Sequence, residues 1–310
     1  MAVGVCTVGG LLTGFTPANA SESAPLAALT AATPETVAKA ADVATTATGA
    51  NAVDATVSGT NVTVPVDPSS GISLGGADTS ITVGLPFAKQ ANDANVETAG
   101  VVSYDNNNGS TTVPVVRDDG TLQINTVIEK AAAPKRYDYP LTIPEGQSLQ
   151  LSADGSAYIG TEDASSISAY IPAPWAKDAN GTPVVTHFEV SGDVLTQVVD
   201  FTAETVFPVV ADPQFEWYSG LPTVKTTRTE TKQLAGIGAG PTGPGGAAKA
   251  CGALLKVAGP VGIAAAALCA VNIVSIMFNA SKAYNSGQCA RLLIGPGVIG
   301  TISYKDSYCR

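Results

Sequence analysis

Between about residues 60 and 213 the chain takes up a period of two, in short β-branched or alternating runs. These runs are Asn61–Val66, Ser80–Leu85, Gly100–Tyr104, Thr112–Val116, Thr121–Ile128, Ser148–Leu151, Ala157–Ile159, Ile167–Ile171, Pro183–Val190, Val194–Phe201 and Thr205–Val210. A period of two belongs to a strand with one buried face. Turn dipeptides separate the runs: Asp119-Gly120, Asp154-Gly155, Asn180-Gly181 and Gly192-Asp193. They supply the positive φ that tight hairpins need. Many short strands with regular turns define a mainly β fold with a β-sandwich-like body, and about 150 residues suffice for one such core. Pro65, Pro114 and Pro208 fall inside strand-like runs, which predicts edge strands or bulges there.

Several segments of this body form a pattern: Tyr137-Asp138-Tyr139-Pro140-Leu141, Gly146-Gln147-Ser148-Leu149 and Ala153-Asp154-Gly155, then Ile171-Pro172-Ala173-Pro174-Trp175-Ala176-Lys177-Asp178-Ala179-Asn180-Gly181, and the closing Phe207-Pro208-Val209-Val210-Ala211-Asp212-Pro213. Their order resembles the β-rich region of secreted actinobacterial proteins, including the segment that precedes the repeats in Rhs/YD-repeat (teneurin-like) polymorphic toxins. The likeness covers about residues 60–213, and the repeats themselves are absent. The resemblance implies an extracellular β scaffold that carries a variable C-terminal module. Such a likeness does not fix an activity.

The segment 247–310 reads as that module, a small α+β unit. Cys251 and Cys269 lie almost symmetrically about Gly259-Pro260, a helix-breaking pair, so a helical hairpin would bring them together. Cys289 and Cys309 lie about Gly295-Pro296-Gly297, between two strand-like flanks, Ala290–Ile294 and Val298–Tyr304. Four cysteines allow three connectivities, and the symmetry favours Cys251–Cys269 and Cys289–Cys309. Each bridge would close a loop of about 20 residues, worth roughly 3 kcal/mol in the chain-entropy model. A zinc site is disfavoured, because the segment has no histidine and no CxxC pair.

From Val257 to Ser281 there is no charged side chain. Two readings follow. In one, a disulfide-tied helix packs beneath the terminal hairpin. Asn272, Ser275, Asn279, Lys282 and Ser286 support it as a polar stripe. In the other, the helix enters a bilayer, and Val261, Ile263, Leu268, Ile273, Ile276 and Phe278 would face the lipid. Charge bears on this choice. Residues 214–310 hold nine Lys/Arg and three Asp/Glu, against seven and twenty-three before them, so the net charge of −10 conceals an acidic body and a cationic tail. Cationic helical segments are drawn to anionic lipid.

At the other end, Val3–Phe15 is apolar and Pro17-Ala18-Asn19-Ala20 offers an Ala-x-Ala cleavage pattern before Ser21, as in a secretory signal. No Lys or Arg precedes Lys39, so the usual basic start of a signal is missing. Residues 21–59 are rich in Ala, Thr and Val and read as a low-complexity, flexible lead-in with one weak helix over Pro34–Val43. Residues 214–246 read as a linker, Gly/Pro-rich at its end. Within it, the basic, threonine-rich Leu221–Lys232 suits an edge strand of either module.

No catalytic constellation stands out. His187 is the one histidine, and no G-x-S-x-G is present. Asp105-Asn106-Asn107-Asn108-Gly109 lacks the distal acid of an EF-hand and reads as a polar turn. Arg117-Asp118-Asp119-Gly120 reads as a hairpin tip rather than a catalytic carboxylate pair. The glycines of Gly236–Gly240 lack the lysine of a phosphate loop. No cofactor or metal is expected, and scattered basic residues without interleaved aromatics argue against nucleic acid. The expected function is therefore a secreted, non-enzymatic extracellular or envelope-associated protein whose C-terminal module binds an extracellular protein or envelope component. The alternative is a membrane-active toxin or bacteriocin-like effector acting at an anionic membrane surface.

Overall fold

The structure, a computed structural model, describes residues 22–76, 80–162, 166–236, 261–295 and 298–310, with the backbone alone for residues 261–271 and 298. The chain is mainly β, and every strand ladder is antiparallel. One large sheet runs in the order β1 (Asn51–Val57), β2 (Thr60–Pro65), β3 (Ile72–Gly75), β4 (Ser80–Val83), β9 (Arg136–Thr142), β15 (Val194–Val199), β14 (Thr186–Ser191). The other runs β13 (Ala176–Lys177), β16 (Val209–Ala211), β8 (Leu122–Ile128), β7 (Ser110–Val116), β6 (Val101–Asp105), β5 (Asn95–Thr98), with β17 (Gln214–Phe215) also on β8. A small sheet follows, β10 (Ser148–Leu151), β11 (Ala157–Gly160) and β12 (Ile167–Ile171).

Burial patterns explain how the large sheets stack. Strand β9 is buried at alternate residues, Tyr137, Tyr139 and Leu141, and turns its other face to solvent. Strands β7 and β8 are buried at every position. Their two faces meet different partners. Leu122, Ile124 and Ile128 share one core with Val62, Leu74, Ile81, Tyr137 and Tyr139 of the first sheet. On the opposite face, Val113, Val115, Val127 and Val210 pack against Leu26 and Leu29 of helix α1 (Ala24–Ala32). The second sheet is thus the middle layer of a sandwich-like stack, with α1 and the short α2 (Pro34–Ala38) as its outer cover.

That cover corrects the expectation of a flexible lead-in. Ser23 caps α1 by accepting the Leu26 N–H at 3.3 Å, and Leu29 is fully buried. Burying one leucine contributes about 1.5–3 kcal/mol, and the small alanines between let the helix lie close on the sheet. Residues 51–57, placed in the same lead-in, form β1 and pair along β2. Pro114 is a second correction, since β7 lies between β6 and β8 rather than at an edge. The β6–β7 ladder skips Val102 and Ser103 opposite the proline, and the Asn125 side chain donates to the Val113 carbonyl at 3.1 Å.

The last sheet, β18 (Trp217–Tyr218), β19 (Leu221–Lys225), β20 (Cys289–Gly295) and β21 (Val298–Tyr304), corrects the linker as well. Residues 214–234 are ordered strand and helix, not spacer. Helix α3 (Arg228–Leu234) starts with a capping box between Thr227 and Glu230, which satisfies two otherwise orphan N–H groups. Helix α4 (Val261–Asn285) packs beside it. Ile276, Ala280, Leu234, Val224, Leu292 and Ile299 form one apolar cluster, completed by Tyr158, Ile167 and Tyr170 of the small sheet. Arg228 donates to the Tyr284 and Gln288 carbonyls and closes the C-terminal end of α4.

Ile276 is therefore fully buried in protein rather than facing lipid, and Ile273 is half-buried against the same cluster. Phe278 is exposed. The side chains of Val261, Ile263 and Leu268 lie outside the described residues, as do the signal segment, residues 237–246, the first arm of the expected helical hairpin and the Cys251–Cys269 pairing. Among the described residues no helix is long and apolar enough to cross a membrane.

The terminal β-hairpin carries the expected Cys289–Cys309 disulfide. It spans a sequence separation of 20 and pins the chain after β21 back to the first residue of β20. Replacing both cysteines by serine should lower unfolding stability by about 3 kcal/mol. Urea denaturation of the oxidised protein and the double variant measures this, and coincident midpoints would refute it.

Candidate functional site: a cleft at the body–tail seam

The body and tail meet through buried charge. The Asp119-Gly120 turn joins β7 to β8, with the Arg117 and Thr121 backbones bonded to each other. Gly120 has φ +84°, and a Cβ there would lie 2.9 Å from the Val57 carbonyl oxygen, so only glycine lets the turn sit this close to β1. The turn presents the Asp119 carboxylate to Arg291 of β20 at 3.0 Å and to Lys225 of β19 at 3.4 Å. Arg291 also donates to Thr223 Oγ1, Thr121 Oγ1, the Trp217 carbonyl oxygen and Glu216 Oε2, at 2.8–3.3 Å. Lys225 reaches Glu216 at 3.4 Å and Asp306 at 3.3 Å.

The side chains of Arg291, Lys225 and Glu216 are each at most 7% exposed. Their desolvation must be met by pairing, and it is. Burial alone would raise the pKa of Asp119, but the charges of Lys225, Arg291 and Arg117 outweigh burial and hold it well below the usual carboxylate range. Asp306 is depressed for the same reason, with Lys225 opposing its burial.

Beside this cluster lies a cleft of about 410 Å³, within the usual ~300–1,000 Å³ of small-molecule sites. Three parts of the chain build it. The N-terminal cover contributes Thr33, Glu35 and Thr36. The body contributes Arg117, Gln123, Tyr170, Trp175, Lys177 and Asp212. The tail contributes Glu216, Lys225, Asp306, Ser307, Tyr308 and Arg310. Local structure fixes each wall. Strand β13 pairs with β16, so Ala176 faces Ala211 and the Trp175 N–H reaches Asp212 Oδ1 at 3.1 Å. Asp178 next door accepts the N–H groups of Asn180 and Thr182 and turns the chain away. Gln123 links Thr36 at 2.9 Å to Asp212 at 3.4 Å. Lys177 donates to the Ala32 carbonyl and lies 5.4 Å from the Trp175 ring centre.

Two groups in the cleft stand apart. Burial pushes Asp212 up to about 7, against the opposing pull of the Trp175 N–H, so it holds a proton further into the neutral range than an ordinary carboxylate. Arg117 is 8% exposed, and its Nε is buried without a partner. Among the described residues its guanidinium makes no hydrogen bond or ion pair.

His187, the lone histidine, is half-exposed on β14 near Glu189 at 3.5 Å, away from the cleft lining. Asp105–Gly109 is a polar turn in which Asp105 accepts the Asn107 N–H. None of the cleft residues was singled out for chemistry from the sequence. The signal that was present lay in the two quoted segments 171–181 and 207–213, which supply Trp175, Lys177 and Asp212 and hydrogen-bond to each other. No family model, curated protein or solved structure matches the chain.

Two outcomes follow. Arg291→Met strands Asp119 and Glu216 with too few partners, and should cost about 3–5 kcal/mol in chemical denaturation. A loss within error of zero would show that the pairs are dispensable. For Asp212 the folded pKa is raised, so its contribution to stability is full below the ordinary carboxylate value and is lost as pH rises from about 4 to about 7. Asp212→Asn should flatten that decline relative to the parent protein, and equal slopes in the two would contradict it.

Proposed function

We propose that this chain is a secreted, non-enzymatic extracellular or envelope-associated binding protein, whose β-rich body resembles that of secreted actinobacterial proteins, including the region upstream of the repeats in Rhs/YD-repeat toxins. Its ligand site is the cleft between body and tail, not the surface of the tail alone. The observation that carries this reading is the cleft's construction. Three segments distant in sequence converge on it, a paired charge cluster holds one wall, and the buried Nε of Arg117 on its lining is left without a partner. The carboxylates Glu216 and Asp306 are engaged by cations and Asp212 by N–H donors, an arrangement suited to holding a ligand rather than transforming it.

A second reading, the membrane-active effector, draws support from Val274 and Phe278. They lie one turn apart on α4 and are 79% and 70% exposed. In that reading the buried ion pairs restrain the tail on the body, and action at an anionic bilayer requires their release.

One experiment separates the two. The full secreted chain is melted with acetate, inorganic phosphate, glucose and glycine, and is also added to dye-loaded anionic vesicles. A saturable rise in Tm with at least one small probe and intact vesicles supports the binding protein. Dye release without any Tm response supports the effector and sinks the binding reading.

A further inference from the structure

We propose that Arg117 is the anchor for the carboxylate of a small ligand, a monocarboxylate with a ring or short apolar body, seated in the cleft between Trp175 and Tyr308. This rests on the binding reading above and narrows it to one chemistry.

The argument begins with what a buried guanidinium requires. Arginine stays charged at any ordinary pH, and its five N–H donors lose their water on burial. Arg291 of β20, in the same seam, shows how this chain meets that requirement when the role is structural. Its Nε and both terminal nitrogens are bonded, to Asp119, Glu216, Thr121, Thr223 and the Trp217 carbonyl. Arg117 is 8% exposed against 2% for Arg291, yet its Nε is buried without a partner, and it lines a cavity rather than a packed core. The nearby Asp119 carboxylate feels its charge but bonds to Lys225 and Arg291 instead. A guanidinium held ready in a cleft is completed by an anion from outside.

The surroundings choose which anion. Glu35, Glu216 and Asp306 line the same space, and Lys225 is already shared among three carboxylates. Lys177 and Arg310 also line the space, but Lys177 already donates to the Ala32 carbonyl, and a dianionic phosphate would meet that negative field with twice the charge of a monocarboxylate. A monovalent carboxylate needs one cation, and its two oxygens match the guanidinium fork. Trp175 and Tyr308, with Pro172 and Ala173, give the rest of the ligand an apolar wall. Either an acidic sugar or an acylated amino acid offers this combination of carboxylate and body.

The test is calorimetric titration of the full chain with glucuronate and with N-acetylalanine. Glucose, N-acetylalanine amide and inorganic phosphate are the controls. The parent protein is compared with Arg117→Gln and Arg117→Lys. At least one carboxylate should bind, its neutral counterpart should bind roughly 30-fold more weakly or worse, and Arg117→Gln should lose a similar factor. Arg117→Lys should recover part of it. The Tm of Arg117→Gln without ligand should stay close to the parent's, because relief of the unpartnered Nε offsets the loss of its attraction for Asp119. A large drop in that Tm would make Arg117 a structural residue and overturn the proposal. Carboxylate binding that persists in Arg117→Gln overturns it too. Binding of glucose or phosphate alone overturns the proposal and leaves the wider binding reading standing, whereas no binding by any probe overturns both. Which carboxylate binds tells the sugar source from the amino-acid source.

Discussion

The fold turns on Arg291. Its guanidinium lies 2% exposed where the tail sheet meets the body, and it engages the β7–β8 turn, the β17–β18 segment and β19 at once. A charge at that depth is tolerable only when its donors have acceptors, and here the acceptors come from three separate parts of the chain. The arginine therefore fixes the relative placement of all of them. Close backbone contact does the same a few residues away. Gly76, past β3, would place a Cβ 2.2 Å from the Gly220 carbonyl oxygen of the β18–β19 turn, so the two chains can touch only as glycines. Trp217, fully buried in the body's core while pairing with Pro222 of β19, joins the apolar side of the same seam.

Composition pointed to an acidic body carrying a cationic tail, and to lipid as the partner of the positive charge. Two of those nine cations, Lys225 and Arg291, are instead consumed inside the protein, and one of their acidic partners, Asp119, comes from the body. A charge count cannot see this, because it treats every ionisable side chain as solvated. The polar stripe on α4 was more informative. Lys282 and Ser275 on that stripe are exposed, while Ile276, Ala280 and Ala283 opposite them are buried against the hairpin. The stripe marks a helix that packs on protein along its second half.

The period of two carried most of the body. Ser148–Leu151 and Ile167–Ile171 are strands over those same residues, and the Asp119-Gly120 and Asn180-Gly181 turns stand where the dipeptides place them. The strands that went unread had physical reasons to be obscure. Arg136–Thr142 alternates cleanly, but charge and a proline interrupt it, and it becomes a strand because Tyr137, Tyr139 and Leu141 fill the core. Asn51–Val57 sits in an alanine- and threonine-rich tract whose small side chains look too poor to bury anything. They suffice once β2 and the core supply the larger partners. In the same way α1 needs only Leu26 and Leu29 to cover a sheet face that is already valine-rich. Local sequence names an element when its own residues supply the burial energy, and falls silent when a neighbour does.

The cleft was the least legible feature, because it is made of residues whose roles exist only in three dimensions. Arg117 and Asp119 are two residues apart at one hairpin tip, and nothing in that tetrapeptide says that one is spent on the tail and the other is left open to a cavity. The difference arises from what the tail brings. Arg291 and Lys225 claim Asp119, one of the two carboxylates in Arg117's own turn, and bond it to the tail instead. The disulfide then holds Cys309 to β20, which keeps Tyr308 and Arg310 at the mouth of the cleft. Docking of the tail thus creates the unpartnered cation and the wall that faces it in one step. A chain that only needed to bury its seam would have paired both arginines.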